Sequence, residues 1–180
     1  MATPLQGRGV TASTSIFVLT GLGVALVIAS SLVEPPPILV WNATASAPRG
    51  LYCIAPPTGL QAGDLVLVQP DPASAAVYAE RGCLPFGVPL LKRVGELGGM
   101  RVCEHGGVVT IEGRQLANAL PIDGQGRPIT SWSGCRALSD SEFFALNADV
   151  PTSLDGPYFG PSLLSSAIGR AIPVWTERER

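Results

Sequence analysis

Hydrophobic and polar residues follow two patterns along this chain. TSIFVLTGLGVALVIASSLV (14–33) is twenty residues long, carries no charge and has no polar face. That is the length a helix needs to cross a hydrocarbon core of about 30 Å. Beyond Glu34 the apolar residues come in short runs bounded by Gly, Pro or Asp: DLVLVQ (64–69), PLLKRV (89–94), MRVCE (100–104), VVTIEG (108–113) with RQLANA (114–119), EFFAL (142–146) and RAIPVW (170–175). Such runs predict strands, and IEGR (111–114) and IDGQGR (122–127) read as hairpin connections. No strand-helix alternation repeats, so the fold class expected is mainly β: bent, antiparallel, barrel-like sheet, preceded by one N-terminal transmembrane helix. Two short helices are predicted, DPASAAVYAERG (71–82) ending at Gly82 and PSLLSSAIG (161–169). SDSE (139–142) matches a capping box, but EFFAL follows it, so it is read as a turn into a strand.

The charges flanking the apolar run orient it. Arg8 and the amino terminus precede it, while Glu34 and Pro35, Pro36 and Pro37 follow, which places the N-terminus in the cytoplasm by the positive-inside bias. The organisation expected is a cytoplasmic N-terminus (1–13), a signal anchor (14–33), a proline-stiffened stalk (34–41) and an exported domain (42–180). The alternative is a cleaved secretory signal, with Val27 and Ala29 as the small residues before a cut. Either reading exports the domain.

Composition narrows the function classes. With 180 residues, 46% of them hydrophobic, the chain can bury one proper core. A formal net charge of −2 and scattered arginines give no basic footprint, so no nucleic-acid partner is expected. All four cysteines, Cys53, Cys83, Cys103 and Cys135, follow the apolar run, and an even count in an exported domain suits two disulfides. Three pairings are possible; Cys103 with Cys135 is favoured here, which leaves Cys53 for Cys83. There is no Cys-x-x-Cys pair, and the single histidine, His105, sits in a CEHGG turn, so no metal and no cofactor are expected.

One residue type stands out for its chemistry. Lys92, in PLLKRV, is the only lysine, against eleven arginines. An arginine stays protonated in essentially any protein setting, whereas a buried ammonium can lose its proton and become a general base. Strand alternation puts Lys92 on one face with Leu90 and Val94, and Leu91 and Arg93 on the other. The competing reading is a solvent-facing lysine at a strand end. A lysine base needs a nucleophile, and a single turn histidine argues against a Ser-His-Asp arrangement. Serine with lysine is the substitute, and TASAPRGLY (44–52) offers Ser46 in a tight turn fixed by Pro48 and Gly50.

Four blocks, TASAPRGLY (44–52), GDLVLVQP (63–70), PLLKRVGELGGMRV (89–102) and TSLDGPYFGP (152–161), occur in one order over most of the exported part. In this the chain resembles the type I signal peptidases, and among them the short TraF-type peptidases of conjugative transfer systems. The resemblance implies that Ser46 is the nucleophile and Lys92 its general base. It also implies that Thr44 supplies an oxyanion-hole hydroxyl, that Ser153 orients the lysine amine, and that Asp155 supports the last block structurally. Two departures are visible. Gly156 and Pro157 replace the serine and arginine that commonly follow the aspartate, which leaves Arg93 or Arg170 as its expected partner. The Gly-Asp-Asn-Arg stretch that often precedes this block is missing, with NADV (147–150) near its place.

The function the resemblance implies is a membrane-anchored Ser-Lys endopeptidase. Its substrate would be an exported preprotein or prepilin, and its place the bacterial inner membrane with the catalytic domain in the periplasm. Acyl transfer to an amine would share the same acyl-enzyme as hydrolysis. The alternative class is a non-catalytic, membrane-anchored β module of a secretion or conjugation apparatus.

Overall fold

The structure is a computed structural model that describes residues 9–31 and 39–177, with side chains described from residue 14 in the first stretch. It divides into two compact units, Met1–Pro36 and Pro37–Arg180, which are taken separately below.

In the first unit, α1 (Gly9–Ser31) is a helix with no acidic residue in its first turn and no basic residue in its last. Its described side chains are exposed on every side, with Phe17 76% and Val27 69% accessible. Among the described residues, no helix is long and apolar enough to cross a membrane. Leu32 and Val33, the last two residues of the apolar run, lie outside the described residues, as do residues 34–38 of the segment read as a stalk.

The second unit is mainly β and wholly antiparallel in its strand pairing. Its strands are β1 (Leu39–Asn42), β2 (Gly50–Ala55), β3 (Leu65–Val68), β4 (Leu90–Leu97), β5 (Arg101–His105), β6 (Val108–Ile111), β7 (Arg114–Asn118), β8 (Gly134–Ala137), β9 (Glu142–Ala145), β10 (Ser162–Leu163) and β11 (Ala167–Thr176). Seven of them form a curled sheet in the order β1-β2-β11-β3-β4-β9-β10, and four form a smaller sheet, β7-β6-β5-β8. β4 is the hinge of the large sheet: Leu90 to Arg93 pair with β3, and beyond Val94 the strand pairs with β9 through a register shift before Glu96. A shift of this kind bends a strand and increases its twist, which is how the sheet curls at β4.

The period-two pattern explains the core. Val66, Val68 and Val94 pack with Phe143 and Ala145 on one face, while Leu67 and Leu91 pack with Tyr52, Ala47 and Ala171 on the other. A strand buried on both faces reads as a continuous apolar run, which is the character of LVLV and of PLLKRV. The smaller sheet has its own cluster of Val102, Val109, Ile111 and Leu138, joined by Phe144 and Leu146 from the β9 region. IEGR is a two-residue hairpin, with Glu112 at φ 48° and Gly113 at φ 75° as such a turn demands.

The helix predicted over 71–82 is α2 (Pro72–Glu80), capped by the Asp71 side chain on the N–H groups of Ala73 and Ser74. SDSE leads into β9 as expected, and Glu142 closes the turn by accepting from the N–H and hydroxyl of Ser139. The helix predicted over 161–169 is not formed. That stretch is β10, a 3-10 turn (Leu164–Ser166) and the start of β11, because pairing with β9 and β3 outweighs a weak helical pattern. β1, β2 and β8 were not predicted.

Cys103 and Cys135 face each other across β5 and β8 and form a disulfide. Cys53 and Cys83 are free thiols, so the second expected bridge is absent: Cys53 lies within the large sheet on β2, and Cys83 is exposed after α2. Cys103, His105 and Cys135 lie within 4.8 Å of one another, but the disulfide uses both sulfurs that a metal would need.

Candidate active site

The loop between β1 and β2 carries Thr44 and Ser46, and Asn42 shapes it. The buried Asn42 amide donates to the carbonyls of Thr44, Ala47 and Pro48 at 3.0–3.1 Å, and its oxygen accepts from the Thr44 N–H at 3.1 Å. Tyr52, 1% exposed, donates its hydroxyl to Pro48 O at 2.6 Å and fixes the far side of the loop. The Thr44 hydroxyl donates to Asn42 Oδ1 at 2.8 Å and lies 3.2 Å from Ser46 Oγ. With its hydrogen engaged by Asn42, Thr44 presents lone pairs to Ser46.

Lys92 enters from β4 and is buried, 5% exposed, on the face it shares with Leu90 and Val94. Its Nζ donates to Ser153 Oγ at 3.1 Å and to the carbonyl of Leu154 at 2.5 Å. Tyr78, from α2, donates to the same carbonyl at 2.7 Å, and its ring lies 5.9 Å from Nζ. Burial pushes the lysine below its ordinary pKa, against the opposing pull of negative charge at Asp155 and at the Cys83 sulfur. Burial likewise raises Tyr78, which holds it as a neutral phenol. Two acceptors take both hydrogens of a neutral amine and leave its lone pair free.

Ser153, Leu154 and Asp155 lie on the turn before α3 (Gly156–Phe159), and all are buried. Burial raises the Asp155 carboxyl, opposed by Lys92, by the N–H of Asn147 and by the Ser153 hydroxyl. Neither expected arginine reaches it. The Arg93 guanidinium donates to Gly63 O at 2.7 Å, and Arg170 pairs with Asp64 and donates to the carbonyls of Thr58 and Gly59. Arg93 points away because it alternates with Lys92 on the strand. In place of an arginine, Asp155 Oδ2 accepts from the backbone N–H of Asn147 at 2.8 Å. The glycine after the aspartate also has a packing reason: a Cβ on Gly156 would stand 2.6 Å from the Phe144 ring and against Ala145 O.

Thr44, Ser46, Lys92 and Ser153 line one cavity of about 190 Å³, with Ala45, Leu84, Leu90, Val150 and Leu154 as its apolar wall. Among the described residues there is no direct hydrogen bond between Ser46 Oγ and Lys92 Nζ. Asp155 does not line this cavity; it faces a second one of about 460 Å³ on which Lys92 also borders. Tyr78, Asn42 and Asn147 all belong to the site, and none was singled out from sequence. Only Asn147 carried a signal, since it begins the stretch that departs from the expected motif.

Comparison with known proteins bears on the family of the chain. Two proteins named "Conjugal transfer protein TraF", from Agrobacterium fabrum and Agrobacterium tumefaciens, are 32% and 35% identical, each over 75% of this chain and 81% of the relative. A crystal structure of a signal peptidase I from Enterococcus faecalis overlays with a TM-score of 0.38 and 19% identity, over 63% of this chain and 97% of that one. The family model described as "Signal peptidase, peptidase S26" matches residues 11–176, nearly the whole chain, and the chain belongs to that family.

Proposed function

We propose that this protein is a membrane-anchored serine endopeptidase with a Ser46-Lys92 dyad, which cleaves leader peptides from exported preproteins, in particular prepilins of a conjugative system. The observation that supports it most is the buried Lys92 amine, held by Ser153 and Leu154 at the wall of the cavity that contains Ser46. The names of the two TraF relatives supply the conjugative setting.

In this reading the Ser46 hydroxyl attacks the scissile carbonyl carbon while its proton passes to the lone pair of Lys92. The oxyanion that forms is stabilised by the Ser46 N–H and by the Thr44 hydroxyl once it turns from Asn42, a contribution of about 3 kcal/mol per donor. Lys92 then gives its proton to the departing amine. Water, deprotonated by the same lysine, releases the acyl group from Ser46 and restores the free hydroxyl. Ser153 orients the amine, and Asp155 braces the turn that carries it.

Small side chains beside the cut suit the 190 Å³ cavity, whose lining includes the aliphatic Ala45, Leu84, Leu90, Val150 and Leu154. A further cavity of about 380 Å³, lined by Val40, Trp41, Leu84, Val88 and Pro89, adjoins it at Thr44 and suits an extended peptide. The run 14–33 serves as a signal anchor in the bacterial inner membrane, with the N-terminus cytoplasmic and the peptidase domain periplasmic.

Cleavage of a leader-containing precursor by the full chain in detergent, followed by mass spectrometry of the products, tests the dyad. Ser46→Ala and Lys92→Arg are each expected to lower kcat by about a thousandfold or more. An arginine supplies charge and bulk but cannot accept a proton at working pH. Wild-type turnover by either variant would overturn the Ser46-Lys92 mechanism, whereas no cleavage by the wild-type chain would return it to the class of binding modules.

A further inference from the structure

The roles assigned above leave out the side chain that joins them. Asn147 follows β9, is 6% exposed, and spends its polar atoms inside the site. Its Nδ2 donates to the carbonyl of Ser46 at 2.7 Å and lies 3.4 Å from Ser153 Oγ. Its Oδ1 accepts from the N–H of Arg93, the residue after Lys92, at 2.9 Å, and its own N–H donates to Asp155 at 2.8 Å. One buried amide thus touches the Ser46 loop, strand β4 beside Lys92, and the turn that orients the lysine.

We propose that Asn147 is a positioning residue that locks the Ser46 loop to the Lys92-Ser153 pair and thereby sets both the alignment of the dyad and the protonation of its lysine. This rests on the reading of Ser46 as nucleophile and Lys92 as base. The alignment follows from the contacts. Fixing the Ser46 carbonyl fixes the peptide that follows the nucleophile, and small displacements of a nucleophile from its base cost rate steeply. The effect on protonation follows from the shared oxygen. The positive end of the Asn147 amide points at the Ser153 Oγ that also accepts from Lys92, so it competes for that oxygen and weakens the bond an ammonium would make to it. Removing the amide frees that oxygen and favours the charged lysine. Replacing it by a carboxylate favours the charged lysine further.

The experiment compares the wild-type full chain with Asn147→Ala, Asn147→Asp and Ser46→Ala. It reads kcat, KM and the pH profile of precursor cleavage, with thermal melts to establish folding. The expected result for Asn147→Ala is a kcat lowered about 10- to 100-fold, with KM changed by less than about threefold. The acid limb should move to higher pH by about half a unit or more, and further in Asn147→Asp, which keeps an oxygen for Arg93 N–H. A merely structural asparagine would lower the melting temperature and leave the limb in place. Unchanged kcat and an unmoved limb in a folded variant would overturn the proposal. Full activity in Ser46→Ala would instead overturn the dyad reading on which it rests. Should neither Asn147 variant fold, the wild-type chain labelled with ¹⁵N-asparagine decides. The Nδ2 resonance of Asn147 is expected to exchange slowly and to shift when a serine-directed acylating reagent modifies Ser46; fast exchange with no shift would overturn the proposal.

Discussion

Lys92 has its pKa shifted by surroundings that pull in opposite directions. Burial disfavours the ammonium, while negative charge at Asp155 and at the Cys83 sulfur favours it, and burial dominates, so the folded chain holds the amine below its ordinary value of 10.5. Two pH dependences follow with definite sign. In the proposed mechanism activity needs the free base, so kcat/KM should rise with pH through a limb that lies below 10.5 and vanish on acidification; a pH-rate profile without that limb would remove Lys92 from the role of base. Stability runs in the same direction. Between the folded value and 10.5 the unfolded chain binds the proton more tightly, so stability climbs with pH across that window. Lys92→Met removes the dependence. Denaturant unfolding should find that variant more stable at neutral pH by about 1 kcal/mol, with the difference closing toward the top of the window. Equal stability at every pH would mean that the amine is solvated.

Among the elements, β4 carries the proposed base, and its burial on both faces is what leaves Lys92 only 5% exposed. Its apolar run and single lysine were readable in the sequence, but the face that Lys92 occupies depended on register, which Val66 opposite Lys92 settles. The stretch 161–169 shows the reverse situation: a helical pattern yields to two strand partners that no local signal announces. The disulfide sits in the other sheet, across β5 and β8, and closes a loop with a sequence separation of 32. It should contribute about 3–4 kcal/mol by restricting the unfolded chain. Cys103→Ser with Cys135→Ser is expected to lower stability by that order in denaturant unfolding. Its kcat below the new melting point should be unchanged, because the four strands of that sheet carry none of the candidate site residues. A large loss of kcat in the folded double variant would show that the small sheet props the site directly.

For the whole molecule, chain order is simple: a charge-free run, a short connection, then a domain whose Ser46 loop follows its first strand. The anchoring proposal predicts that the full chain stays with membranes after an alkaline carbonate wash and that protease added to spheroplasts digests the domain from the periplasmic side. Recovery of the full chain in the soluble fraction, or digestion only from the cytoplasmic side, would reject it. The sequence by itself determined the mainly β class and singled out Ser46 and Lys92 as candidates, because period-two patterns, a lone lysine among arginines and ordered motifs are local or compositional signals. Only the tertiary structure decided that Cys103 bonds Cys135 among the three possible pairings, that Cys53 and Cys83 stay apart, and that Asp155 leans on a backbone N–H, with no arginine paired to it among the described residues. It also decided that Asn147, 101 positions from Ser46, reaches its carbonyl. Those outcomes depend on which strands become neighbours and on which way side chains turn there, and a pattern along one strand does not carry that information.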